Sequence, residues 1–157
     1  MDRKLLYVAV PAAMLVFASG SAPAGDTADR TGVIVCVNDK WDEKEVAKDH
    51  KVVDYAGRCV KVPNDADGEK VVEDCAGKYE YMPDKSWKSA GACTSTYPGG
   101  DKTFETWEEG SHLTAYPYKI TGGTGKYEGA SGGGTYFYEN LTDTLAAGTY
   151  KGRVVTP

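Results

Sequence analysis

The sequence predicts an all-β protein, specifically an eight-stranded antiparallel up-and-down β-barrel. Short runs rich in Val, Thr and Tyr recur along the chain, with Gly, Pro, Asn and Asp between them, as is typical of strands joined by turns. Apolar residues almost nowhere repeat at the three-four spacing of a helix. Few of the intervals between runs are long enough for the crossover helices that a parallel sheet needs, so neighbouring strands are expected to be antiparallel.

The strands are predicted in chain order from these runs. They are Gly32–Val37, Ala56–Val62, Lys70–Met82, Trp87–Tyr97, Lys102–Gly110, His112–Thr121, Gly133–Leu141 and Leu145–Val155. Alternation within the runs puts Tyr79 and Tyr81 on one face, with Lys78 and Glu80 on the other. The one candidate helix, Asp42–His50, is nearly all charged and could equally be a solvated loop.

The N-terminus is typical of a secretory signal peptide. Arg3 and Lys4 precede an apolar run that is too short for the roughly 20 residues of a spanning helix. Ala22 and Ala24 then satisfy the small-residue rule for cleavage. We therefore expect residues 1–24 to be removed and residues 25–157 to form a single barrel domain, secreted or periplasmic, with no membrane association after cleavage.

Charge and cysteine content limit the partners. The formal net charge of −5 disfavours nucleic acid as a partner, because phosphate binding needs a basic surface. Four cysteines behind an export signal predict two disulfides, and three connectivities are possible. Strand register favours Cys75 with Cys93, if a single bulge aligns them, and leaves Cys36 with Cys59. No close ligand pair suits zinc, so neither a metal nor a cofactor is expected.

The glycine-rich stretch "ITGGTGKYEGASGGGTY" (residues 120–136) does not fit a phosphate-binding loop. Gly125-Lys126 is followed by Tyr127 where a P-loop needs Ser or Thr, and no helix can follow in "ASGGGTY". A dinucleotide fingerprint fails on the spacing to Gly129. Glycine instead supplies the positive φ angles that barrel corners need, so we interpret Gly122–Gly125 and Gly132–Gly134 as two corners.

The same stretch, together with the C-terminal "GTYKG", resembles the allene oxide cyclase and dirigent barrel superfamily. The resemblance covers roughly the last 45 residues and implies an eight-stranded, calycin-like barrel with a hydrophobic cavity, often in a homo-oligomer. In the cyclase branch a catalytic glutamate stands two residues before an asparagine. Here Cys36 and Asn38 occupy those positions, so the expected acid is absent.

The function predicted from these features is binding of a small apolar or aromatic molecule inside the barrel. The ligand-binding candidates are aromatic: Tyr79, Tyr81, Trp107, Tyr116, Tyr118 and Tyr127. One alternative is an isomerase or cyclase with Asn38 and Glu108 as candidate polar catalytic groups. Another is a structural or interaction protein whose barrel is filled by its own tyrosines, which predicts no cavity larger than a few water molecules.

Overall fold

The computed structural model describes residues 26–157, which form a closed barrel of eight antiparallel strands in chain order. The predicted signal peptide, residues 1–24, lies outside the described residues. The strands are β1 (Thr27–Ala47), β2 (His50–Pro63), β3 (Val71–Tyr81), β4 (Trp87–Thr96), β5 (Lys102–Gly110), β6 (Tyr116–Gly123), β7 (Ser131–Asn140) and β8 (Leu145–Val155). The predicted fold class is thus confirmed. Among residues 26–157, no helix is long and apolar enough to cross a lipid bilayer.

Both predicted disulfides are present, and each joins two neighbouring strands. Cys36 lies directly opposite Cys59 on β1 and β2, and Cys75 lies directly opposite Cys93 on β3 and β4. The bulge predicted between Cys75 and Cys93 does not occur. Trp87 pairs with Tyr81, one residue earlier than expected, and that shift aligns the cysteines without an extra residue.

The prediction of a helix at residues 42–50 is wrong. This segment extends β1 to Ala47 and turns at Asp49, where φ is 58°, into β2. Beyond Val37, β1 no longer pairs with β8 and pairs only with β2. The charged segment is therefore a solvent-exposed hairpin that extends the barrel wall on one side.

The valines of β1 and the last two valines of β2 lie on the outside of the barrel. Val60 and Val62 are 41% and 37% exposed, whereas Lys61 between them points inward and is buried. The outward valines continue on β1, where Val33 and Val35 are 43% and 38% exposed. Because side chains alternate across a strand, the polar residue takes the inner face and the barrel interior becomes partly polar.

The glycine-rich stretch closes one end of the barrel. Residues Gly125–Tyr127 form a 3₁₀ turn after β6, and Tyr127 packs into a buried apolar cluster. The members of this cluster are Val71, Tyr97, Ile120, Tyr127, Ala130 and Val154. Gly132 and Gly133 lie within β7 instead of at a separate corner, but their φ angles of 124° and 145° give the strand a conformation that only glycine adopts readily.

The two ends of the barrel therefore differ. The closed end carries the apolar cluster, the β2–β3, β4–β5 and β6–β7 connections, and the start of β1 and end of β8. The open end carries the other four turns, including the long β1–β2 hairpin. This asymmetry leaves space for a cavity that is reached from the open end.

Candidate functional site

A cavity of about 630 Å³ occupies the open half of the barrel. Its wall includes all three tryptophans of the sequence, Trp41, Trp87 and Trp107. Asn38, Asn140 and Asp143 also line it, from segments at the open end of the strands. A volume in this range is typical of small-molecule sites, so the barrel is hollow and the filled-barrel alternative does not fit.

Five of the six aromatic candidates line this cavity: Tyr79, Tyr81, Trp107, Tyr116 and Tyr118. Tyr127, the sixth, lies outside the cavity lining and packs against Tyr97 in the apolar cluster, with ring centroids 4.3 Å apart. Of the two polar candidates, Asn38 lines the cavity, whereas Glu108 is exposed on the outside of β5. The acid that faces inward is its neighbour, Glu109.

The inner face of β5 forms a column that runs the length of the interior. From the closed to the open end it carries Thr103, Glu105, Trp107 and Glu109, all buried. The Trp107 indole lies against the backbone of two inward-facing glycines on β3 and β4, Gly77 and Gly91, where a Cβ atom would collide with the ring. These glycines let a large ring lie flat against the wall and keep the centre of the barrel open.

Glu109 accepts hydrogen bonds from four hydroxyl groups. Oε1 accepts from Tyr136 at 2.6 Å, and Oε2 accepts from Tyr79 and Tyr138 at 2.9 Å and from Ser89 at 3.1 Å. The donors come from β3, β4 and β7, so they converge from both sides of β5. This set supplies the hydrogen bonds that a buried carboxylate needs and holds three phenol rings in fixed positions around it.

The three phenols that surround Glu109 stay protonated. Burial, and next the charge of Glu109, raise the pKa of Tyr79 and Tyr136 far above the usual value. The same two causes raise the pKa of Tyr138. Each hydroxyl therefore donates a hydrogen bond to Glu109 and retains oxygen lone pairs that can accept a hydrogen bond from a ligand.

A second polar cluster lies deeper, towards the closed end. Lys61 Nζ is 2.6 Å from Glu73 Oε1 and 3.0 Å from Glu105 Oε2, and all three side chains are buried. Ser95 Oγ lies between the two carboxylates, 2.7 Å from Glu73 and 3.0 Å from Glu105. Thr103 donates a further bond to Glu105 at 3.3 Å. The cluster forms the polar floor of the cavity.

The polar floor contains more acidic than basic groups, because one lysine faces two carboxyl groups. Burial raises the pKa of Glu73 against the opposing charge of Lys61, and the nearby Glu105 raises it further. Burial alone would lower the pKa of Lys61, but the charges of Glu73 and Glu105 outweigh it and raise that pKa above its usual value. Lys61 thus stays charged between the two carboxylates, one of which, Glu73, has a raised pKa.

The disulfides lie side by side on the cavity wall. Cys59 and Cys75 share the inner face of β2 and β3, and their sulfur atoms come close to the Glu73 carboxylate. A cluster of two cysteines and a carboxylate resembles a metal site in outline. Here both sulfurs are bonded in disulfides, so neither is the thiolate that a metal would need.

Of the buried polar residues that were missed from the sequence, Glu105 and Glu109 had a readable signal and Lys61 had none. Trp107 and Glu109 are two residues apart on one strand, so placing Trp107 in the cavity puts Glu109 there and Glu108 outside. Glu105 follows from the same alternation. Lys61 had no such signal, because its valine neighbours make the opposite face look like the buried one.

No protein-family model matches the chain, and no curated protein sequence is significantly similar to it. Its structure is similar to that of the pterocarpan synthase dirigent protein GePTS1, with a TM-score of 0.57 at 13% identity over 90% of this chain and 99% of that one. The fold is that of the dirigent proteins.

A second dirigent structure agrees. The pterocarpan synthase dirigent protein PsPTS1 gives a TM-score of 0.55 at 13% identity, over 86% of this chain and 98% of that one. At this identity the likeness establishes the dirigent-like barrel and not an activity. The two disulfides of the dirigent-like barrel are compatible with a secreted protein, since such bonds persist in oxidising compartments.

Proposed function

We propose that this dirigent-like barrel binds a small aromatic molecule in its open-end cavity. The observation that carries the proposal is the cavity of about 630 Å³, lined by the three tryptophans and seven tyrosines. Apolar ring faces provide the contact area, and the hydroxyls around Glu109 provide fixed polar contacts, as small-molecule sites require. Two proteins of similar structure are named pterocarpan synthase dirigent proteins, and this supports an aromatic ligand.

A titration with 2-naphthol tests the proposal. We expect one-to-one saturable binding by calorimetry, with a Kd below about 1 mM for this two-ring neutral probe. A cavity-filling variant, Ala146→Phe, should weaken binding at least about tenfold, because Ala146 is buried in the cavity wall. Failure of the wild-type protein to bind 2-naphthol or any other aromatic probe would remove the basis of the proposal.

The matched control for this variant is Ala147→Phe. Ala147 is the next residue on β8 and does not line the cavity, since alternate residues face opposite sides. It adds the same side chain to the outside of the same strand, so binding should be unchanged. Near-ultraviolet circular dichroism of both variants checks that the barrel is folded. Equal weakening by both would argue against binding inside the barrel.

Catalysis is a second candidate, favoured by one observation. The carboxylate that the cyclase comparison lacked at Cys36 is supplied by Glu109, from another strand and inside the cavity. Its oxygens already accept four hydroxyl bonds, so in this state it serves better to position and to stabilise charge than to abstract a proton. Conversion of an epoxide or phenoxy-radical substrate by wild-type protein, lost in Glu109→Gln, would favour this candidate over simple binding.

A further inference from the structure

The three carboxylates buried inside the barrel differ in their charge partners. Glu73 and Glu105 both contact the ammonium group of Lys61. Glu109 is only 5% exposed, and within residues 26–157 it makes no ion pair. Its four hydroxyl donors satisfy hydrogen bonds but carry no net positive charge. The open half of the cavity therefore holds a negative charge that no cation of the described chain balances.

Aromatic rings surround this charge on several sides. The hydroxyl of Tyr79 donates a hydrogen bond to Glu109. The centroid of the Tyr79 ring lies 4.9 Å from that of Trp41 and 6.1 Å from those of Trp87 and Trp107. The faces of such rings carry partial negative charge and attract cations within about 6 Å of their centroids. Because their hydroxyl protons point at Glu109, the phenol oxygens also present lone pairs to the cavity. The carboxylate, the ring faces and the oxygen lone pairs therefore all favour a positively charged ligand group.

The barrel already holds one ammonium group in a comparable setting. Lys61 Nζ lies 4.7 Å from the ring centroid of Tyr118 and 5.6 Å from that of Tyr150, while it contacts Glu73 and Glu105. Phenol rings and carboxylates thus combine to stabilise a buried cation at the floor. The same two components are present around Glu109, which forms no ion pair with a basic side chain of residues 26–157.

The entrance has the same charge preference. Asp143 lines the cavity near the open end, and among the described lining residues Lys61, held at the floor, is the only basic one. A ligand that enters from solvent therefore passes acidic and neutral side chains before it reaches the rings. The field of such a cleft raises the local concentration of cations over anions.

We propose that the cavity selects organic cations, namely an ammonium group carried on or beside an aromatic ring. This inference rests on the proposed function, since it names the charge class of the ligand that the same cavity takes. The ammonium group lies near Glu109 against the rings of Tyr79 and its neighbours, and the aromatic part fills the remaining space towards the disulfide wall.

Three probes of matched shape test the charge preference. Phenyltrimethylammonium, methyl phenyl sulfone and benzenesulfonate each carry a tetrahedral group on a phenyl ring, and they are cationic, neutral and anionic respectively. By calorimetry on the wild-type protein we expect the cation to bind at least about tenfold more tightly than the sulfone, because a desolvated cation gains both ring and carboxylate contacts. The sulfonate should bind more weakly than the sulfone.

Paired variants locate the source of the preference. Glu109→Gln removes the charge and nearly preserves the shape, so the cation should lose most of its advantage while sulfone binding changes little. Glu108→Gln is the matched control, because Glu108 is the adjacent acid on the outer face of β5. It should leave the order and spacing of the three affinities unchanged. An equal loss of cation binding in both variants would overturn the assignment to Glu109.

The wild-type result decides the inference even if Glu109→Gln does not fold. Sulfone binding equal to or tighter than cation binding would overturn the charge preference, while the proposed aromatic site would stand. Absence of binding by all three probes and by 2-naphthol would overturn the proposed function itself. The two failures are therefore distinguishable in one set of titrations.

Discussion

Replacing Lys61 with methionine is expected to lower the free energy of unfolding by about 3–5 kcal/mol. The substitution preserves an unbranched side chain of similar length but leaves Glu73 and Glu105 buried without a cation. The ammonium charge then no longer offsets the desolvation of the two carboxylates. Removing one partner of a buried ion pair therefore lowers stability by more than the intact pair adds to it. Urea unfolding followed by tryptophan fluorescence at pH 7 measures the change.

Three comparisons check the cause of this loss. Lys78→Met removes an exposed pair with Asp54 on the outside of the barrel and should leave stability nearly unchanged. Adding Glu73→Gln to Lys61→Met should recover part of the loss, since one uncompensated carboxylate disappears. Without Lys61, burial keeps the pKa of Glu73 higher in the folded than in the unfolded protein. As the pH falls from 7 to 5, Glu73 therefore takes up a proton more readily in the folded protein, and the stability lost through Lys61→Met should become smaller. A loss equal to that of Lys78→Met would contradict the buried triad.

Removing the disulfides is expected to have the second large effect. Each bond closes a loop of modest length, with sequence separations of 23 for Cys36–Cys59 and 18 for Cys75–Cys93. The chain-entropy model gives about 3 kcal/mol for a loop of either length, so Cys→Ala replacement of each pair should lower stability by about that amount. Urea unfolding of each double variant, against the oxidised parent, provides the measurement.

The effect on the cavity gives an independent check on the disulfides. All four cysteines line the cavity wall, so their loss loosens β1 to β4 beside the proposed ligand. We expect 2-naphthol to bind more weakly to either double variant under conditions where the barrel is still folded. Unchanged stability in both double variants would show that strand pairing alone fixes this part of the barrel.

The fold and the disulfides could be predicted because local signals repeat along the chain. Turn residues, alternating aromatic runs and the glycine-rich stretch all indicate short antiparallel strands. The Cys75–Cys93 pairing followed from counting residues across one turn, and an error of one residue was harmless because the correct register needs no bulge. Charged residues at 42–50 carried no alternation, so the hairpin was not separable from a helix or a loop by pattern.

The candidate site was harder to predict because its polar residues reverse the usual hydrophobic pattern. Around Lys61, the outward valines indicate the wrong face as buried, and only closure of the barrel shows which face is inside. Glu109 depends on hydroxyls from β3, β4 and β7, and such convergence has no trace in local sequence. Strand alternation from Trp107 would nonetheless have chosen Glu109 over Glu108.

The central claim is that a small aromatic molecule binds inside the barrel, and anomalous diffraction tests it most directly. Crystals of the wild-type protein would be soaked with 6-bromo-2-naphthol, and the bromine located from its anomalous signal. We predict one strong peak within the cavity, bounded by the rings of Tyr79, Trp107 and Tyr136. A peak confined to the outer face of the strands, or an empty cavity at a concentration that saturates binding in solution, would contradict the claim.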